Sequence, residues 1–215
     1  MTNRLGKYTI RLESGPSLPG YAAIVSKIEG EGPMAQYFDK IIEDEMFGEK
    51  TWERAESRMQ KEAVNLALEK ASVNANDVDY VFAGDLLNQC IGSHYGLRDM
   101  GIPFVGVYGA CSTMAQSLAL ASLFVECGIA GQALASTSSH FCASERQFRF
   151  PLEYGGQRAP TAQRTVTGAG AVLVGAHAQP PYVRAVTMGT IEDMGVTDIN
   201  NMGAAMAPAA AIIGP

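Results

Sequence analysis

Residues 108–128 read Tyr-Gly-Ala-Cys-Ser-Thr-Met-Ala-Gln-Ser-Leu-Ala-Leu-Ala-Ser-Leu-Phe-Val-Glu-Cys-Gly, and no other stretch restricts the fold as much. It follows a short β-prone run at 102–107. It therefore reads as a tight turn opening a helix, with Gly128 as the left-handed residue that closes it. From Met114 to Val125 only Gln116, Ser117 and Ser122 are polar. A helix apolar nearly all round is expected in the interior. Cys111 stands at the mouth of this helix, where unpaired backbone N–H groups and the positive end of the macrodipole favour a thiolate or a bound anion. It reads equally as a small hydrophobe at a crowded turn, and position alone does not separate the two.

The rest of the chain alternates. Residues 8–12 and 21–26 read as short strands separated by Ser14-Gly15-Pro16 and Pro19-Gly20. Thr51 is placed to cap a helix running to about Ala71, whose apolar residues Ala55, Met59, Ala63, Leu66 and Ala67 fall on one stripe. Residues 79–83 read as a buried strand, 84–101 as a turn and second helix, 102–107 as a third strand and 132–136 as a fourth. Residues 137–165 have no clear period and are expected to form a long loop. Order returns at 166–176, with 182–190 as its expected hairpin partner. Strands alternating with helices give a three-layer α/β/α domain with a mixed, mostly parallel, five-stranded sheet. In such sheets ligands bind at the carboxyl ends of the strands, so Asp85, Asn88, Cys111 and the start of the 137–165 loop should converge on one crevice.

Charge and cysteines exclude several functions. A net charge of −6 over 215 residues argues against nucleic-acid binding. Residues 29–62 hold ten acidic against five basic side chains, which reads as a solvated face. The four cysteines have no metal-ligand spacing and form no disulfide framework, so reduced, cytosolic-type chemistry is the default and neither a metal nor a cofactor is expected. No secretory leader is recognisable and no apolar run approaches the roughly 20 residues that span a bilayer. The expected location is cytoplasmic, or peripheral on a membrane.

The 141–165 segment concentrates arginine, with Arg146, Arg149, Arg158 and Arg164 against Glu145 and Glu153. A guanidinium offers a planar fork of donors matched to carboxylate or phosphate, so a pocket for a small anion is one reading; surface or interface ion pairs are the other. His140 precedes this run. It could pair with Cys111 to activate a thiolate, or serve as a hydrogen-bonded structural residue.

In the order Gly84-Asp85-Leu86-Leu87-Asn88-Gln89, Gly109-Ala110-Cys111-Ser112-Thr113, Thr137-Ser138-Ser139-His140, Glu145-Arg146-Gln147-Phe148-Arg149-Phe150-Pro151, Glu153-Tyr154-Gly155-Gly156-Gln157 and Val166-Thr167-Gly168-Ala169-Gly170, the chain resembles the stage V sporulation protein AD family. So does the tail, Asp198 and Met202-Gly203-Ala204-Ala205-Met206-Ala207-Pro208-Ala209-Ala210. The resemblance implies a thiolase-like fold, with residues 1–190 as its N-terminal half, 137–165 inserted, and 191–215 connecting toward a second half. It also implies binding of dipicolinic acid, a pyridine with two carboxylates, and delivery of it to the developing spore and its inner membrane with the membrane proteins of the stage V sporulation A operon. Carried over by motif, the ligand residues are Asp85, Asn88, Cys111, His140, Arg146 and Arg149, with Cys111 in a nucleophile-like position. Thiolase-like proteins draw the groups that activate the cysteine from their second half. The expectation for residues 1–215 is therefore a non-catalytic binder that self-associates through its exposed half-fold face, with Cys-dependent acyl transfer as the alternative.

Overall fold

A computed structural model describes residues 3–148, 164–176, 179–197 and 202–213. In chain order the elements are strands β1 (Asn3–Leu5), β2 (Thr9–Arg11) and β3 (Ser17–Ser26), helix α1 (Lys27–Gly30), β4 (Lys40–Ile42), α2 (Trp52–Ala71), β5 (Tyr80–Gly84), α3 (Ile91–Leu97), β6 (Phe104–Gly106), α4 (Thr113–Glu126), β7 (Gln132–Ser139), α5 (Phe141–Phe148), β8 (Gly168–Gly175), β9 (Ala185–Thr187) and α6 (Met202–Ile213).

Six strands form the main sheet in the order β4-β3-β8-β7-β5-β6. The pairs β3/β4, β5/β6 and β5/β7 are parallel, and β8 runs antiparallel to both β3 and β7. Successive residues point to opposite faces, and both faces are covered. Val81, Ala83, Leu134 and Leu173 pack with Met59, Ala63, Val64 and Ala67 of α2. Their neighbours Phe82, Ala133, Ala135 and Val174 pack with Ala121 and Val125 of α4. The result is the expected α/β/α layering with a mixed, mostly parallel sheet. The sheet has six strands rather than five because Lys40–Ile42, within the acidic stretch, pairs with β3.

Helix α2 follows its sequence signals. The Thr51 hydroxyl oxygen accepts from the Arg54 N–H at 3.3 Å, Ser72 closes the helix with φ 56°, and Ala55, Met59, Ala63 and Ala67 are buried. Gly128, φ +69°, closes α4. That helix is buried on two sides: Ala121 and Val125 pack against the main sheet and Ala119 packs with Leu12 and Val186, whereas Ala115 and Gln116 near its start are exposed. The expectation of burial all round is corrected at Ala115 and Gln116 alone, since both of the flanks that meet a sheet are covered.

Three other expectations change. Pro19-Gly20 lies within β3, at a register irregularity between Ser17 and Gly20, the kind of place where a strand tolerates proline. Residues 182–190 are not the partner of β8, whose edges are taken by β3 and β7; instead β9 pairs with β2 in a small antiparallel sheet, β1-β2-β9. The 137–165 segment begins as structure, with β7 continuing to Ser139 and α5 following. A run of hydroxyl residues can stay in a buried strand because each one is hydrogen-bonded. Ser136 donates to Gly170 O at 3.0 Å, Thr137 to Gly84 O at 3.1 Å and Ser139 to Val166 O at 2.6 Å. Residues 149–163, with Arg149, Arg158 and the Glu153–Gln157 motif, lie outside the described residues, as do His177 and Asp198.

Gly84 ends β5 where it meets the turn before α4. A Cβ there would lie 1.8 Å from Val107 O and 2.9 Å from Thr113 Cγ2. Only glycine lets these two segments approach so closely. Gly84→Ala is expected to lower stability by about 1–3 kcal/mol or more, read from the urea midpoint. Gly131→Ala, whose new carbon would meet nothing nearer than Asp79 Oδ2 at 3.6 Å, should leave the midpoint unchanged or slightly raised. Equal effects of the two would contradict this packing.

Candidate functional site

At the carboxyl ends of β5 and β7 a cavity of about 760 Å³ opens between the strand ends, the start of α4 and α5. The turn after β5 contributes Asp85, the turn into α4 contributes Cys111, β7 contributes Thr137, Ser138 and Ser139, α5 contributes Ser144 and Glu145, and Arg164 precedes β8. Met206 of α6 also reaches it. The volume falls in the range of small-molecule sites.

Asp85 is buried and saturated with donors: its carboxylate accepts from the Leu87 N–H at 2.9 Å and from the Ser93 N–H and hydroxyl, both at 2.7 Å. It thereby fixes the 85–93 turn, which holds two left-handed residues, Gln89 and Cys90. Cys111 is exposed in the short 3₁₀ turn Ala110–Ser112, directly after Ala110 at φ 49°, a conformation a Cβ makes unfavourable. The turn is held by Ser112 donating to Gly109 O at 2.7 Å and by the Gly109 N–H donating to Thr113 Oγ1 at 3.2 Å. Tight packing against Gly84 thus sets a thiol at the mouth of α4, facing the cavity.

Of the residues marked in the sequence, Asp85 and Cys111 share the cavity. Asn88 is exposed and does not line it. His140 is buried, also off the lining; its Nε2–H donates to Glu45 O at 3.0 Å and its ring stacks on Trp52. Nδ1 has no partner, and burial pushes the imidazole below its ordinary pKa, so it is neutral. Arg146 points the other way on α5, paired with Glu53 and lying over the Trp52 ring at 5.3 Å. Arg149 lies outside the described residues.

Arg164 is the one arginine among the described lining residues. Its guanidinium carbon sits 4.3 Å from the Phe141 ring centroid, with Glu45 at 3.9 Å. Glu145, also on the lining, is buried and accepts from the Thr165 hydroxyl at 3.0 Å. Behind the wall, the Ser138 hydroxyl donates to Glu56 Oε1 at 3.1 Å. Glu56 is fully buried on α2, and its carboxyl is pushed up to about 8, first by burial and then by the negative charge of Asp85. Glu56 carries no signal in the helical pattern beyond its place one residue past Ala55 on the buried stripe.

Among the described residues no group of three or more His, Cys, Asp or Glu side chains is arranged to hold a metal ion, and no helix is long and apolar enough to cross a membrane.

The family model described as Stage V sporulation protein AD matches residues 6–213. Stage V sporulation protein AD of Bacillus subtilis (strain 168) is 46% identical over 183 residues, which are 85% of this chain and 54% of that protein. The chain thus spans about half the length of this curated relative. Among solved structures, 3-oxoacyl-[acyl-carrier-protein] synthase III from Aquifex aeolicus VF5 has a TM-score of 0.50 at 16% identity, covering 77% of this chain and 55% of its own. The priming β-ketosynthase of the R1128 polyketide pathway has the same score and identity, with 83% and 53% covered. At such identity these two show the thiolase-like fold and nothing further.

The raised Glu56 carboxyl has a consequence for stability. The folded chain keeps a proton there that the unfolded chain releases above its ordinary 4.5, so the stability it contributes is present at low pH and lost as the pH rises toward 8. His140, lowered on folding, acts only below its ordinary 6.5 and in the opposite sense. Thermal melts from pH 6.5 to 8 should therefore show Tm falling in the wild type and a flatter line in Glu56→Gln. Parallel slopes would exclude Glu56 as the titrating group.

Proposed function

This chain belongs to the stage V sporulation protein AD family, and on that premise we propose that it is a non-catalytic binding protein for dipicolinic acid, aiding its uptake into the developing spore. The observation that carries this reading is the pairing of one guanidinium, Arg164, with an otherwise largely apolar cavity at the mouth of α4. A flat aromatic ring suits the apolar walls formed by Ala23, Val25, Met114 and Val166, and its two carboxylates need cationic or N–H donors. Arg164 supplies one. The hydroxyl of Ser144, buried, on the lining and without a hydrogen-bond partner, supplies a second. The unpaired N–H groups at the start of α4 favour negative charge. Asp85 is no obstacle of the ordinary kind, since three donors already share its charge.

In this reading the protein works beside the membrane proteins of the stage V sporulation A operon, from the cytoplasm or the surface of the spore inner membrane. It associates with itself or with a further segment through the exposed start of α4, at Ala115 and Gln116. Cys111 keeps a nucleophile-like position without a catalytic duty. Acyl transfer through Cys111 is the second reading, favoured by the exposure of the thiol in the cavity and by the ketosynthase-like fold. None of the described lining residues is a histidine or lysine that could act as its base.

Calorimetric titration with dipicolinate tests the proposal. Saturable binding is expected, and Arg164→Gln should weaken it about 10- to 100-fold, the loss typical of a hydrogen bond to a charged group. Absence of binding, or full affinity in the variant, contradicts the reading. Turnover of acyl-CoA that disappears in Cys111→Ser would establish the acyl-transfer reading in its place.

A further inference from the structure

We infer that Ser138 and Glu56 form a relay in the cavity wall that, in alkaline solution, takes up one proton from solvent for each dicarboxylate bound, an inference that rests on the dipicolinate reading above. Ser138 lines the cavity, and its hydroxyl is hydrogen-bonded at 3.1 Å to Glu56, which does not line it. Glu56 can therefore reach a ligand by hydrogen bonding only through Ser138, as a positioning residue. Its carboxyl is wholly buried, and Oε2 has no hydrogen-bond partner. An ionised carboxylate with a bare oxygen is unfavourable in such a place, and a neutral carboxyl is not.

The protonation state of Glu56 sets which way the serine hydroxyl points. With Glu56 ionised, the Ser138 hydrogen is committed to Oε1, and the cavity meets only oxygen lone pairs, which repel a carboxylate. With Glu56 protonated, the carboxyl O–H can donate to Ser138 Oγ, and the serine hydrogen is freed to donate into the cavity. The proton comes from solvent and ends on Glu56; no other bond changes. A bound dianion favours the same state by its charge.

Other titratable groups come from the elements packed around Glu56. They are Asp85 after β5, His140 after β7, Cys142, Glu145 and Arg146 on α5, and His94 and the exposed Tyr95 on α3; β3 offers only Tyr21, which is exposed, and β7 and β8 none. Asp85 is hydrogen-bonded by three donors, His140 is neutral, and Arg146 is paired with Glu53. The carboxyl of Glu56, pushed up to about 8, is thus poised to lose its proton in the mildly alkaline range.

The test is calorimetry with dipicolinate, fully ionised at both pH values, at pH 7 and 9 in buffers of different ionisation enthalpy. At pH 9 the wild type should take up roughly one proton per ligand and bind about tenfold more weakly than at pH 7, where Glu56 already holds its proton. Glu56→Gln should take up none and show one Kd at both pH values. Ser138→Ala, which breaks the connection and removes a hydrogen bond that favours ionised Glu56, should cut the uptake by about half or more. Binding without proton uptake at pH 9, or uptake that persists in Glu56→Gln, overturns the relay and leaves the dipicolinate reading standing. No binding at either pH overturns both.

Discussion

The structure depends on satisfying the hydroxyls at the end of β7. A strand that ends Ser-Thr-Ser-Ser between two other strands would be a poor core element if its side-chain oxygens went unpaired, since each buried unpaired polar group costs about 1–3 kcal/mol. Here every hydroxyl finds a different neighbour: Ser136 the β8 backbone, Thr137 the β5 backbone, Ser138 the Glu56 carboxyl and Ser139 the segment before β8. The four bonds tie β5, β8 and α2 to one strand end. The place where chemistry could occur is therefore also where three elements are fastened together.

That fastening explains why the cavity lies where it does. The parallel strands β5 and β7 end side by side, and β8, running the opposite way, starts beside them with Gly168. The missing side chain of Gly84 lets the turn into α4 close over β5, which brings Cys111 beside the β7 hydroxyls. Asp85 then draws the following turn inward through three hydrogen bonds. Each step is short-range, yet together they set several separate chain segments around one space.

The regular elements are legible in the sequence because their signals are local. Thr51, the stripe from Ala55 to Ala67 and the left-handed Gly128 each act within a few residues. The crevice at the strand ends is legible too, since Asp85 and Cys111 both follow strands. What local pattern cannot carry is partnership across the sheet. Serine and threonine at 136–139 look like loop until their acceptors on β8 and β5 are in view, and the antiparallel placement of β8 between β3 and β7 leaves no trace in either strand's own pattern. Arg146 and Arg164 belong to one arginine-rich run. Only the helical turn of α5, which sends Arg146 toward Glu53 and Trp52, tells them apart.

The charge balance of the cavity is the remaining step. Counted by residue type, its described lining holds two acids, Asp85 and Glu145, and one base, Arg164, which would make it a poor home for an anion. Counted by hydrogen bonds, the balance shifts. Asp85 has its charge spread over three donors, Glu145 accepts from Thr165, and Glu56 behind the wall is held neutral by its burial and by Asp85 itself. The negative charge of Asp85, which would repel a ligand directly, thus also keeps a proton on the carboxyl that governs Ser138. An acid near the site in this way lends the wall a donor, and residue counts alone misjudge what the cavity can hold.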